Sequence, residues 1–276
     1  MNRGFVRSRC GWCGGNGRKD GFEMKIAVIT GASSGLGREF FLSAAKQYPQ
    51  VKEFWLIARR EEKLRELSAL VPQKKTVVLP MDLTVEESVA SLEQLFQQRQ
   101  PEIELLINNA GFGTLGNFDS MERSTQTKMI DLNVRALTAL TLAALPFMKR
   151  GGAVVNVCSI ASFAPNPRMT VYCSTKAYVM SFSRSLREEL KPRGINVLAV
   201  CPGPMRTEFL PAAGIASGSS KTFDTLPYCS PEQVAAAALR SARRGKAVYT
   251  NRFFFKLYRV LAKLLPHGFI MKFSKA

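Results

Sequence analysis

Short runs of β-branched and other apolar residues alternate along the chain with longer stretches of mixed polarity. The runs fall at 25–30, 54–58, 76–81, 105–111, 153–158, 195–200 and 247–250. A short, continuously apolar run is the pattern of a parallel strand covered on both faces. The stretches between them read as helices: 35–48, 61 onward, 84–98, 122–149, a segment opening near Val171 and another at Ser230. Ser230-Pro231-Glu232 combines a cap with a proline at the first helical position. Thr84 ahead of Glu86 and Glu87 reads as an N-cap with an acidic first turn. Strands alternating with helices predict an α/β fold: a single doubly wound parallel sheet of about seven strands with helices on both faces. Residues 24–250 then form one domain, with no internal repeat or domain-sized linker. Residues 1–23, rich in Gly and Arg and without periodicity, are expected to be a disordered leader, and 251–276 a basic amphipathic tail.

Composition narrows the function classes. A length of 276 residues with 46% apolar content suits a fully cored α/β domain. No uninterrupted run of 18 apolar residues occurs, so no transmembrane span is expected, and the basic N-terminus lacks the apolar run of a secretory signal. The net charge of +18 sits at the ends: +3 in residues 1–23, +10 in 240–276 and only +5 between them. A nucleic-acid enzyme carries its basic stripe through the fold, so no nucleic-acid partner is expected. The one histidine, His267, excludes a His-based triad or a multi-His metal site. Of six cysteines only Cys10-Gly11-Trp12-Cys13 has metal-like spacing, and no second pair completes a zinc site. No metal and a reducing, cytoplasmic location are the expectation.

The candidate chemistry lies at strand ends. The first run enters Gly31-Ala32-Ser33-Ser34-Gly35-Leu36-Gly37 and then a helix. Strand, glycine turn and helix open a dinucleotide-binding unit: the turn admits a pyrophosphate and the helix N-terminus offers N–H groups and a positive dipole end. The second run ends in Arg59-Arg60, where the adenosine ribose is read. An acid there binds a free 2′-hydroxyl, whereas arginine suits a 2′-phosphate, so NADP(H) is favoured over NAD(H). The alternative for both arginines is a solvated loop. Asp82, at the end of the third run, is placed to accept from the adenine amino group. Asn133 sits mid-helix, where asparagine is unfavourable, and Ser159 follows the fifth run. Tyr172 and Lys176, four residues apart at the start of a helix, share one face. A cation one turn from a phenol favours the phenolate, which makes the pair a candidate acid/base unit.

Together these residues resemble the short-chain dehydrogenase/reductase family, in its compact single-domain form. The likeness runs from residue 25 to about 250: the glycine motif Thr30 to Gly37, Asp82, Asn108-Asn109-Ala110-Gly111, Asn133, Ser159, Tyr172, Lys176, and Pro202-Gly203 followed by Thr207. Cys158 stands where the family often has serine. The resemblance implies a Rossmann fold and hydride transfer between a nicotinamide and a carbonyl or secondary alcohol. Tyr172 would carry the proton, Lys176 would lower its pKa and hold the ribose, Ser159 would bind the substrate oxygen, and Asn133 would anchor a water. Cofactor contacts are implied for Gly31, Ser33, Ser34, Gly35, Leu36, Gly37, Arg59, Arg60, Asp82, Leu83, Asn109, Ala110, Gly111, Pro202, Gly203 and Thr207. Homodimers or homotetramers are usual in the family. The competing reading is a catalytically silent NADP(H)-binding sensor or scaffold.

Phe163, Pro165, Met169, Met205 and Phe209 are expected near the substrate, an apolar set suited to a lipophilic ketone or alcohol of steroid, bile-acid or acyl type, or to ordinary packing. Residues 208–229 read as a mobile lid. In the tail, Arg252, Lys256, Arg259 and Lys263 are spaced 4, 3 and 4, one stripe on a helix otherwise apolar. Such a helix docks on its own core or another subunit, or contacts a membrane surface peripherally.

Overall fold

The structure is a computed structural model that describes residues 24–215 and 221–273. The leader, with Cys10 and Cys13, and part of the expected lid lie outside the described residues. Seven parallel strands, β1 (Lys25–Thr30), β2 (Glu53–Ala58), β3 (Lys75–Pro80), β4 (Glu102–Asn108), β5 (Ala153–Val157), β6 (Asn196–Cys201) and β7 (Val248–Thr250), form one sheet in the order β3-β2-β1-β4-β5-β6-β7. The described helices are α1 (Gly35–Gln47), α2 (Glu61–Ala69), α3 (Glu86–Arg99), α4 (Arg123–Ile130), α5 (Leu137–Ala144), α6 (Thr170–Leu190), α7 (Phe209–Ala212), α8 (Lys221–Thr225), α9 (Pro231–Arg243), α10 (Phe253–Leu264) and α11 (His267–Phe273).

Alternation within each strand divides the core into two layers. Ala27, Ile29, Val155, Leu198 and Val200 meet α1, α2 and α9 through Phe40, Phe41, Leu64 and Val234. Ile26, Val28, Val154 and Val197 meet α3, α5 and α6 through Leu92, Phe96, Leu140 and Leu186. Both faces are covered, which is why the strands read as unbroken apolar runs. The strand order reverses between β1 and β4, and the crevice beyond the strand C-termini at such a point is where ligands of this architecture bind.

Three local expectations need correction. β4 begins at Glu102, and Asn109-Ala110-Gly111 lie past its end. Its charged start is hidden in the sequence because Glu102 and Glu104 pair with Lys25, both at 3.0 Å. Thr84 does not cap α3: the cap position is Val85, and the Thr84 hydroxyl donates to Asp82 at 2.8 Å. The expected long helix at 122–149 is broken by a π-helical turn, Asp131–Ala136, which contains Asn133. The run Arg123–Phe147 is long and apolar enough to cross a membrane by length and composition. Leu137, Leu140 and Ala144 are nevertheless buried against the domain, which makes it a core helix. Cap and proline open α9 as read, with Ser230 accepting from the Gln233 N–H. The tail forms α10 and α11 and docks on its own domain through Phe255, Ala262 and Ile270.

Candidate active site

The glycine turn is shaped by its neighbours as much as by its own sequence. Gly31 and Gly35 have positive φ of 64° and 52°. A Cβ on Gly37 would lie 2.1 Å from the Gly31 carbonyl oxygen, so only glycine lets the turn close onto α1. The Thr30 hydroxyl accepts from the N–H groups of Asn109 and Ala110, both at 3.0 Å, and the Asn109 amide donates to the Thr30 and Gly31 carbonyls at 3.0 and 3.2 Å. The ends of β1 and β4 are thereby fastened together. Ser34, at the N-cap, makes no side-chain cap bond to α1, leaving that helix start to face a cavity.

Of the candidate cofactor and catalytic residues, all but Gly37 and Asn133 border this one cavity of about 1030 Å³. Gly37 acts through the turn. Asn133 is buried: its amide donates to the Phe112 carbonyl and the Thr175 hydroxyl at 2.8 and 3.1 Å, and its oxygen accepts from the Phe112 N–H at 3.0 Å. The π turn brings this amide to the Gly111 loop, where a Cβ on Gly111 would sit 2.8 Å from the Asn133 oxygen.

Past the end of β2, Arg60 donates to Ser33 at 3.3 Å and to Glu208 at 2.7 Å. The Arg60 contact, with help from Ser34, holds the Glu208 carboxyl below the usual range. Burial pushes the Asp82 carboxyl up, but the Thr84 N–H and hydroxyl, with Arg59 and Lys128 nearby, bring it below its ordinary value. It remains an ionised acceptor.

At the other end, Tyr172, Ser159 and Lys176 converge past β5. The Ser159 side chain faces the Tyr172 phenol and favours its ionised form. Ser159 also accepts from the Ala161 N–H at 3.1 Å, which fixes its rotamer. The Lys176 ammonium donates to the Val157 carbonyl at 2.9 Å and lies 5.7 Å from the Tyr172 ring centroid. The expected lowering of the phenol pKa is therefore absent in this arrangement. Burial pushes Tyr172 up, outweighing the effect of Ser159, and pushes Lys176 down. Phe209 stacks obliquely on Tyr172 at 5.7 Å, and Gly113 lies flat against the ring, where a Cβ would come within 2.7 Å.

Met169, Met205 and Phe209 line the cavity as expected, whereas Phe163 and Pro165 do not. Phe163 instead packs on Tyr258 of α10 at 5.9 Å. The wall unforeseen from sequence is the tail: Phe254, Tyr258 and Leu261 of α10 and Leu265, Phe269 and Ile270 beyond it all border the cavity. Its signal was the apolar arc opposite the basic stripe, which lacked only an address. Among the described residues no group of three or more His, Cys, Asp or Glu gathers in a metal-holding arrangement.

The short chain dehydrogenase family model matches residues 25–215. An uncharacterized oxidoreductase of Staphylococcus aureus (strain N315) is 29% identical over 229 residues, 82% of this chain and 94% of its own. Among solved structures, a short-chain dehydrogenase from Sphingobium yanoikuyae in complex with NADPH is similar with 31% identity and a TM-score of 0.74, covering 89% of this chain and 95% of that one. A bulky-bulky ketone specific alcohol dehydrogenase from Comamonas testosteroni matches with 28% identity and a TM-score of 0.69, covering 88% and 94%.

Proposed function

Because the chain belongs to the short-chain dehydrogenase family and is an oxidoreductase of the alcohol/ketone type, we propose that it is an NADP(H)-dependent reductase of lipophilic ketones, with Tyr172 as the proton donor. The observation that carries the reading is the convergence of Ser159, Tyr172 and Lys176 in the same cavity as the glycine turn. The residues present fit the dinucleotide. The uncapped start of α1 and the close-packed Gly31 and Gly37 form an anion cradle. Arg59 and Arg60 supply positive charge for a 2′-phosphate, and the ionised Asp82 accepts from the adenine amino group. The NADPH-bound Sphingobium relative supports NADP(H) over NAD(H).

The bound nicotinamide supplies the hydride. Ser159 and Tyr172 hold the substrate oxygen between their hydroxyls. Tyr172, kept protonated at neutral pH by its buried setting, gives its proton to that oxygen as negative charge develops. Lys176 serves the ribose and the proton path from the floor of the site, Asn109 lines the cofactor cavity while fastening the glycine turn, and Asn133 positions the Gly111 loop. Thr207, next to Gly35 on the cavity wall, would contact the carboxamide of a bound nicotinamide. The apolar wall of Met169, Met205, Phe209 and the tail suits a steroid-, bile-acid- or acyl-like substrate. A silent sensor has no use for the complete Ser, Tyr and Lys set.

NADPH oxidation against a panel of ketones tests the reading. Tyr172→Phe is expected to lower turnover by about 10²–10⁴-fold while NADPH binding persists. Near-normal turnover at saturating NADPH would remove Tyr172 from its role.

A further inference from the structure

The proposed reaction uses only one face of α10. At about 100° per residue, Phe253, Phe254, Leu257, Val260, Leu261 and Leu264 fall in one stripe about 120° wide. All six are exposed, from 40% at Leu261 to 80% at Phe253. The opposite arc, Phe255 and Ala262, is buried against the domain. Along one flank run Arg252, Lys256, Arg259 and Lys263, and residues 240–276 contain ten Lys and Arg and no acid. Phe254, Leu261 and Phe269 are more than a third exposed and also border the cavity, so its mouth opens at the stripe.

An exposed apolar stripe of this size marks a contact surface. A second copy of the chain would bring a second row of cations and no acid from this segment to meet them. An anionic lipid surface satisfies both features at once: the acyl boundary takes the aromatic and leucine stripe, and the headgroup phosphates take the basic flank.

We propose that the outer face of α10 docks the protein on an anionic bilayer, with the cavity mouth against the lipid, so that the substrate is a ketone or alcohol dissolved in the membrane. The docking stands on the surface alone, whereas the substrate route rests on the reductase reading above.

The full chain is sedimented with phosphatidylcholine vesicles with and without phosphatidylglycerol. Binding is expected only with the anionic lipid, weakening as salt is added. The triple variant Phe253→Ser, Leu257→Ser, Leu264→Ser should lose at least about tenfold in partition. Lys256→Glu with Lys263→Glu should lose about fivefold or more for each charge. None of these five side chains borders the cavity, so reduction of a short water-soluble ketone and the melting temperature should match wild type. With a long-chain ketone carried in the vesicles, turnover by the triple variant should fall with its binding. Absence of vesicle binding by the wild type, or undiminished binding by the triple variant, overturns the proposal. So does a lipid-free assembly that the triple variant dissociates in analytical ultracentrifugation, which would make the stripe a self-association face. Vesicle binding by a protein inert toward every ketone would sink the reductase reading and leave the docking intact.

Discussion

Phe255→Ala probes how the tail is fastened over the site. Phe255 is fully buried and is the α10 side chain that reaches the main core, where its ring fills the space beside Gly203. A Cβ on Gly203 would lie 2.2 Å from that ring, so the contact is as close as backbone allows. The other anchors, Ala262 and Ile270, sit in a small separate cluster with Ala164. Truncating a buried phenylalanine costs about 3–5 kcal/mol, including the cavity left behind. The remaining anchors are Ala262, Ile270 and the part-buried Tyr258 and Leu265 packed beside Phe163, so the loss should appear as local undocking of α10. At about 1.4 kcal/mol per factor of ten, the undocked population rises roughly 10² to 10³·⁵-fold. Lys256, Arg259 and Lys263 are then open to trypsin, and cleavage of the native protein tracks that population. Cleavage within 256–263 should accelerate by those two to three decades, and kcat/KM for a bulky apolar ketone should fall more than for a small one. Each kcal/mol lost globally lowers the melting temperature of a domain this size by about 2–4 °C. A drop of about 10 °C or more with no faster cleavage would mean that the tail unfolds only with the whole domain, and the reasoning would be refuted.

Arg59→Ala should weaken NADPH binding about ten- to a hundredfold, the worth of one charge-assisted hydrogen bond, and leave NADH nearly unchanged. Equal losses in fluorescence titrations with both would assign Arg59 to adenine stacking instead. Tyr48 carries a buried hydroxyl without a hydrogen-bond partner, and burial pushes its pKa up to about 12. The native state therefore keeps its proton where the unfolded chain loses it. The stability this confers is complete below pH ~10 and falls by up to about 1.4 kcal/mol per pH unit between ~10 and 12. Tyr48→Phe should flatten that alkaline fall in urea titrations and raise stability at neutral pH by about 1 kcal/mol; an unchanged alkaline slope contradicts the assignment. Asn156 is fully buried, accepting from Asn108 and donating to Ser183 at 2.8 and 2.9 Å. Asn156→Ala should cost about 2–4 kcal/mol of unfolding free energy, and a neutral result would show the ladder to be dispensable.

The sheet was legible because its strands are buried on both faces, and a run such as Ala153–Val157 then carries no polar residue to blur it except Asn156. β4 resisted at its start because Glu102 and Glu104 are neutralised by Lys25 from the neighbouring strand, a pairing that no local pattern announces. The candidate binding residues share a related feature. They cluster at strand C-termini, and the two strands flanking the switch point, β1 and β4, bring Thr30 and Asn109 together across 79 residues of sequence. Spacing within a motif does not say what a side chain spends its hydrogen bonds on. Asn109 fastens the glycine turn, and Asn133 fastens the Gly111 loop.

Tyr172 and Lys176 show where local reasoning reaches its limit. One helical turn places them on a common face, and charge proximity alone predicts a lowered phenol pKa. In the folded chain the same helix face is buried, which opposes both charged forms, and the ammonium is drawn to the Val157 carbonyl. The burial comes from distant residues: Phe209 past β6, Gly113 past β4, and a tail more than eighty residues downstream that borders the cavity. The amphipathic pattern of that tail was plain, but its apolar arc is wider than one contact needs. About half is used to seal the pocket and half is left facing out. A helix that only completed the domain core would need Phe255, Tyr258, Ala262 and Leu265. Phe254 and Leu261 add to the cavity wall, whereas Phe253, Leu257, Val260 and Leu264 border no cavity and, with the basic flank, are the residues the proposed external contact would use.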